Sequence, residues 1–237
     1  ENLLKRSPNQ YGSYETPVRE ILAKIQEEGD GALFAYTKKF DRAEITEQNV
    51  RVTDEEIREA YETVDPALVD VIRKSLVNIR SYHEKQKQNS WFTSSEDGTM
   101  LGQKVTPLEK VGVYVPGGKE VYPSSVLMNI VPAKVAGVDR IIMTTPPGPD
   151  GKVNPSTLVA AKEAGADEIY KAGGAQAVAA LAYGTESIPK VDKIVGPGNI
   201  FVALAKKTVY GHVSIDSIAG PSEILVLADD SANPRFV

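Results

Sequence analysis

The sequence predicts an α/β protein: an open, doubly wound parallel sheet preceded by a mainly helical portion. Three observations carry this. From residue 111 onward, short β-prone segments alternate with helical patterns, and their starts recur at roughly 25–30 residues, the length of a βα unit. Those short segments are runs of apolar residues, as expected for parallel strands buried on both faces. Before residue 111 the apolar positions recur at helical spacing instead.

In chain order, Thr16-Pro17 reads as an N-cap with proline at the first helical position. Val18, Ile21, Leu22 and Ile25 then form one helical face, which Gly29 stops. Asp30 can cap a second helix through Leu33, Phe34 and Tyr36. Thr53 and Glu56 have the spacing of a capping box and open a third. Asp65-Pro66 opens a fourth, whose face is Leu68, Val69, Ile72, Leu76 and Ile79. Residues 90–105 hold Asp97-Gly98 between β-prone runs, a hairpin signal. Parallel strands are then expected at 111–115, 140–144, 168–171, 193–195 and 223–227. Helices are expected between them at 124–136, 155–164, 175–183 and 199–210. The cluster Pro146-Pro147-Gly148-Pro149-Asp150-Gly151 reads as a turn within the domain. Asn233-Pro234 is a further helix start with only Arg235, Phe236 and Val237 behind it, too few for a stable turn. The chain therefore reads as the front part of a longer protein.

Composition removes several function classes. The 237 residues carry a formal charge of −5, against the basic surface that nonspecific nucleic-acid binding needs. No apolar run approaches the roughly 18 residues of a membrane helix. The segment Glu1-Asn2-Leu3-Leu4-Lys5-Arg6 lacks the apolar core of a signal peptide, so a cytoplasmic setting is expected. Cysteine is absent, which excludes disulfides, cysteinyl zinc sites and thiol nucleophiles. Only His83 and His212 offer imidazoles, little for metal binding or acid–base catalysis.

In open parallel sheets ligands bind beyond the carboxyl ends of the strands. Four glycine-bearing junctions fall at strand boundaries: Val115-Pro116-Gly117-Gly118, Ala172-Gly173-Gly174-Ala175-Gln176, Gly196-Pro197-Gly198-Asn199 and Ala219-Gly220-Pro221-Ser222. Glycines admit a ligand close to the backbone, and helix N-termini offer unpaired N–H groups to anions. The dinucleotide fingerprint G-x-G-x-x-G is not met: in Gly196-Pro197-Gly198-Asn199-Ile200-Phe201 the third glycine is Phe201, which would hold the helix off its strand. Asp216 lies about where a ribose-binding acid would follow. Asn199 reads equally as a plain N-cap and as a ligand contact. By default Tyr114 is a packing residue and Gln176 a surface helix residue. Ser222 lacks a G-x-S-x-G frame and is rejected as a hydrolase nucleophile, though it can hydrogen-bond a ligand. Lys206 and Lys207 read as a solvated helix end, and Glu55, Glu56, Arg58 and Glu59 as a solvated helix face.

These junctions carry a family resemblance. Val111-Gly112-Val113-Tyr114-Val115-Pro116-Gly117-Gly118, Gly173-Gly174-Ala175-Gln176-Ala177, the stretch from Tyr183-Gly184-Thr185-Glu186 to Lys193-Ile194, Gly196-Pro197-Gly198-Asn199 and Gly220-Pro221-Ser222-Glu223 follow in an order that resembles histidinol dehydrogenase. The resemblance runs over nearly the whole chain. It implies oxidation of L-histidinol through histidinaldehyde to L-histidine with NAD and zinc, in a cytoplasmic homodimer built of incomplete Rossmann-like domains. It divides the chain into 1–110, a helical arm and the first part of an α/β domain; 111–222, a Rossmann-like NAD-binding domain; and 223–237, a return into the first domain. By motif, Tyr114, Gln176 and Asn199 would contact NAD, and Ser222 the substrate. No catalytic residue and no metal ligand is expected in this segment: the zinc ligands and catalytic base would lie beyond Val237, so the segment alone would be inactive. Two alternatives stay open, a noncatalytic nucleotide-binding module and a related dehydrogenase of another small alcohol.

Overall fold

The computed structural model describes residues 12–117, 121–218 and 224–235. Four helices come first: α1 (Gly12–Glu28), α2 (Asp30–Asp41), α3 (Asp54–Thr63) and α4 (Pro66–Glu84). A small antiparallel hairpin follows, β1 (Trp91–Ser94) and β2 (Met100–Gln103), turning at Asp97-Gly98 as expected. Then come β3 (Lys110–Tyr114), α5 (Pro123–Ala136), β4 (Arg140–Thr145), α6 (Pro155–Ala164), β5 (Glu168–Lys171), α7 (Gly174–Tyr183), β6 (Lys193–Val195), α8 (Ile200–Val209) and β7 (Ser214–Ile215).

The sheet order is β5-β4-β3-β6-β7, parallel throughout. Alternate side chains of the strands enter two separate cores. Tyr114, Ile142, Tyr170 and Ile194 face α1, α2, α7 and α8; Val111, Val113, Ile141, Met143 and Ile169 face α3 to α6. Burial on both faces explains why these strands are apolar runs. The N-terminal helices are thus layers of this sheet. Among the described residues no helix is long and apolar enough to cross a membrane.

Capping chemistry sets several boundaries as the sequence reads. Thr53 N–H donates to Glu56 at 2.9 Å and Glu56 N–H to Thr53 Oγ1 at 3.2 Å, closing the box; Asp65 accepts from Ala67 N–H at 2.8 Å. Several expectations fail. Helix α1 begins at Gly12, so Thr16 is no cap and Pro17 lies inside the helix. Tyr14, edge-to-face on Phe201 with centroids 5.5 Å apart, holds the extra turn, and the carbonyl that Pro17 leaves unpaired falls on an exposed stretch. The N-cap of α2 is Gly29, in a positive-φ conformation, and Asp30 is instead its first residue: its N–H donates to Glu186 at 2.8 Å and its carboxylate accepts from Ser187. Leu68 lies at the rim of its helix face, 36% exposed. Residues 224–227 form no strand, and Ile224, Leu225 and Leu227 are about nine-tenths exposed. The position beside β6 is taken by β7, and residues 224–227 pair with neither edge of the sheet. At 231–235 the chain makes turns, with Asn233 accepting from Arg235 N–H at 3.0 Å; Phe236 and Val237, the rest of the expected helix start, lie outside the described residues.

Candidate functional site

Strand order reverses between β3 and β6. The chain leaves β3 toward β4 on one side and leaves β6 toward β7 on the other, so their carboxyl ends diverge and open a crevice, the usual ligand position in such sheets. A cleft of about 300 Å³ lies there. Tyr114, from the end of β3, Gln176, from the first turn of α7, and Asn199, at the start of α8, all line it. Phe40 and Asp41 of α2 close it from the helical side, and Pro146 after β4 forms its floor. Asp41, Gly117 and Pro146 also line an adjoining cleft of about 700 Å³ that runs under residues 146–150. The proline-glycine turn is therefore a wall of the crevice.

Each expected side chain is held by local geometry. Tyr114 is buried, and its hydroxyl oxygen accepts the Gly174 N–H at 3.1 Å. Burial pushes its pKa up to about 12, so it remains a neutral donor. Gln176 is buried rather than on the surface, at 1% exposure. The N-cap of α7 is Gly173, without a side-chain cap; the Gly174 amide is taken by Tyr114, and those of Ala175 and Gln176 have no side-chain cap where these residues line the cleft. Asn199 caps α8: Oδ1 accepts from Phe201 N–H at 3.0 Å and Val202 N–H at 3.2 Å. With Oδ1 so engaged, its amide nitrogen is the group that remains for a ligand. The plain-cap and ligand-contact readings are thus compatible in one side chain. Ser222 and Gly118 lie outside the described residues.

A clamp beneath the cleft went unread in the sequence. Lys206 is not a solvated helix end. It is 2% exposed, its Nζ donates to the Gly196 carbonyl at 2.9 Å, and it pairs with Asp216. Asp216 in turn accepts the Gly196 N–H at 2.8 Å. The clamp fixes Gly196, whose φ of +117° and close approach to Tyr114 exclude a side chain: a Cβ there would lie 2.0 Å from the Tyr114 carbonyl oxygen. Asp216 is thereby committed to the loop, not to a ribose. Lys207 is the exposed neighbour, 3.5 Å from Glu15. Phe201 does not wedge the helix from its strand; it meets Tyr14 and lines the cleft. Glu56 likewise departs from a solvated face, pairing with the buried Lys171 at 2.5 Å. Elsewhere His83 bonds Gln86 at 2.6 Å on the surface, and His212 packs on Tyr183.

A doubly wound parallel sheet with a glycine-lined crevice at its switch point defines the class: an α/β protein of the open-sheet type, in which ligands sit beyond the carboxyl ends of the strands. The histidinol dehydrogenase family model matches residues 4–237, and the chain belongs to that family. It is 61% identical to a histidinol dehydrogenase of Bacillus subtilis over 220 residues, 93% of this chain and 51% of that relative. It is 57% identical to one from Heliobacterium mobile over 237 residues, all of this chain and 55% of that relative. The crystal structure of histidinol dehydrogenase from Elizabethkingia anophelis superimposes with a TM-score of 0.87 at 42% identity, covering 94% of this chain and 51% of that one. The chain spans about half the length of the curated relatives it matches.

Proposed function

We propose that this chain is the part of a histidinol dehydrogenase that positions NAD for the oxidation of L-histidinol through histidinaldehyde to L-histidine. The observation that carries the reading is the convergence of Tyr114, Gln176 and Asn199, from three separate elements, on one cleft at the switch point. The residues fit a dinucleotide. The uncapped amides of Ala175 and Gln176 in the first turn of α7 suit phosphate oxygens. The Tyr114 hydroxyl, already accepting from Gly174, has its own proton to donate, and the Asn199 amide nitrogen supplies a second donor. NAD, when bound, supplies the hydride acceptor; the chain binds and orients it and excludes water with Phe40, Pro146 and Phe201.

The family resemblance also implies zinc. Among the described residues no group of three or more His, Asp or Glu side chains is placed to hold a metal ion, so no step through zinc is derived from this chain. Ser222 as a substrate contact, the homodimer, the cytoplasmic setting and the division at residues 110 and 222 belong to the same proposal. The test is an assay of the full-length protein with histidinol and NAD, with and without a chelator, beside the purified 237-residue chain. We expect NADH formation by the full-length protein, its loss with the chelator, and background rates for the chain alone. Turnover by the chain alone, or none by the full-length protein, overturns the reading.

A further inference from the structure

We propose that Asp41 is the acceptor for the ribose hydroxyl groups of the bound dinucleotide and makes the crevice favour NAD over its 2′-phosphorylated counterpart. The inference rests on the reading of the crevice as the NAD site and adds a residue and a specificity to it.

Asp41 is the last residue of α2, a position where the helix dipole disfavours a carboxylate. Its Oδ2 is buried with no hydrogen-bond partner. Buried carboxylate oxygens are ordinarily paired, so an orphan oxygen on a residue that lines a cleft is a group awaiting a donor. Among the described residues two other buried side-chain oxygens lack partners, Asp30 Oδ1 and Thr144 Oγ1. Asp30 already accepts from Ser187 through its other oxygen, Thr144 is a neutral hydroxyl, and neither lines the cleft. Asp41 lines both the cleft that holds Tyr114 and Asn199 and the adjoining one, beside Gly117 and Pro146 at the ends of β3 and β4.

That place has a chemical meaning. Dinucleotide-binding sheets put a ribose-binding acid about 20 residues past the glycine turn. Here β4 runs out through Thr144, Thr145, Pro146 and Pro147, with no acid, and Asp216 is engaged by Lys206 and Gly196. A carboxylate brought in from α2 fills the vacancy in the chemistry. No other acidic side chain lines the smaller cleft among the described residues, so a cation would find a single carboxylate there, whereas a vicinal diol offers two O–H donors. Burial without a partner pushes Asp41 up to about 6, still ionised at pH 7 and repelling a phosphate.

The test uses the full-length protein and calorimetric titrations with NAD and with NADP, on the parent, Asp41→Asn, Asp41→Ser and Asn199→Asp. The parent should prefer NAD. Both Asp41 variants should bind NAD about tenfold more weakly or worse, with NADP binding unchanged or tighter, so that the preference collapses. A ratio of the two affinities unchanged in both variants, while NAD binding still depends on Asn199, overturns the inference and leaves the NAD site standing. No NAD binding by the parent overturns both.

Discussion

At the scale of the residue, the crevice is made by side chains whose default roles were bland. Gln176 and Asn199 stand at glycine-bearing junctions that the sequence marks as a ligand edge, whereas Tyr114 reads as a packing residue and comes in only through the family motif; the structure brings all three to one cleft. Asp41 was not legible: nothing in Lys39-Phe40-Asp41-Arg42 marks it, and only the packing of α2 on the sheet brings it to Pro146. Its burial has a thermodynamic consequence. Desolvation raises its pKa from 3.8 to about 6, so the folded protein holds this proton more tightly than the unfolded chain. The group's contribution to stability is then largest below about pH 4 and is lost as pH rises through about 6. Tyr114, the other titratable side chain lining the cleft, stays neutral over this range. Asp41→Asn should therefore raise stability at pH 7 by on the order of 1–2 kcal/mol, discounted for partial exposure, and the gain should vanish near pH 4. Thermal melts of the full-length pair at the two pH values check it; an equal difference at both contradicts it.

At the scale of the element, sequence reasoning succeeded where one short stretch contains its own cause. The capping box gave α3, the Asp65-Pro66 start gave α4, and the apolar runs gave β3 to β6. It failed where the cause is a distant contact. Tyr14 on Phe201 extends α1 past Thr16, and Glu186, distant in sequence, accepts the N–H of Asp30, which is the first residue of α2 and not its cap. Residues 224–227 have strand propensity but join neither edge of the sheet. The Lys206–Asp216 clamp belongs here too, because it ties α8 to the loop after β6. Removing one partner of a buried pair strands the other. Asp216 keeps some solvent contact, so Lys206→Met should cost about 2–3 kcal/mol, below the range for fully buried pairs. It should also weaken NAD binding, since Gly196 loses the donor to its carbonyl. Denaturant unfolding and NAD titration of the full-length variant check both; a loss under about 0.5 kcal/mol would show that the clamp carries no stability.

At the scale of the molecule, two helical layers on one parallel sheet leave a crevice whose floor is the sheet edge and whose lid is α2. The fold class was legible from the βα period, since burial on both faces writes itself into composition. The closing of the crevice by helices from the far N-terminus was not, because helical periodicity says which face is buried but not against what. The central claim is that this crevice holds NAD. The measurement that bears on it most directly is NAD binding to full-length protein carrying Asn199→Asp, with thermal melts on the same samples. Aspartate keeps the α8 cap and suits a helix N-terminus, but it removes the amide donor and adds charge beside the cofactor's phosphates. The account predicts an unchanged melting temperature and an NAD affinity lower by about tenfold or more, roughly 1.4 kcal/mol. An unchanged dissociation constant would contradict it and return Asn199 to a cap.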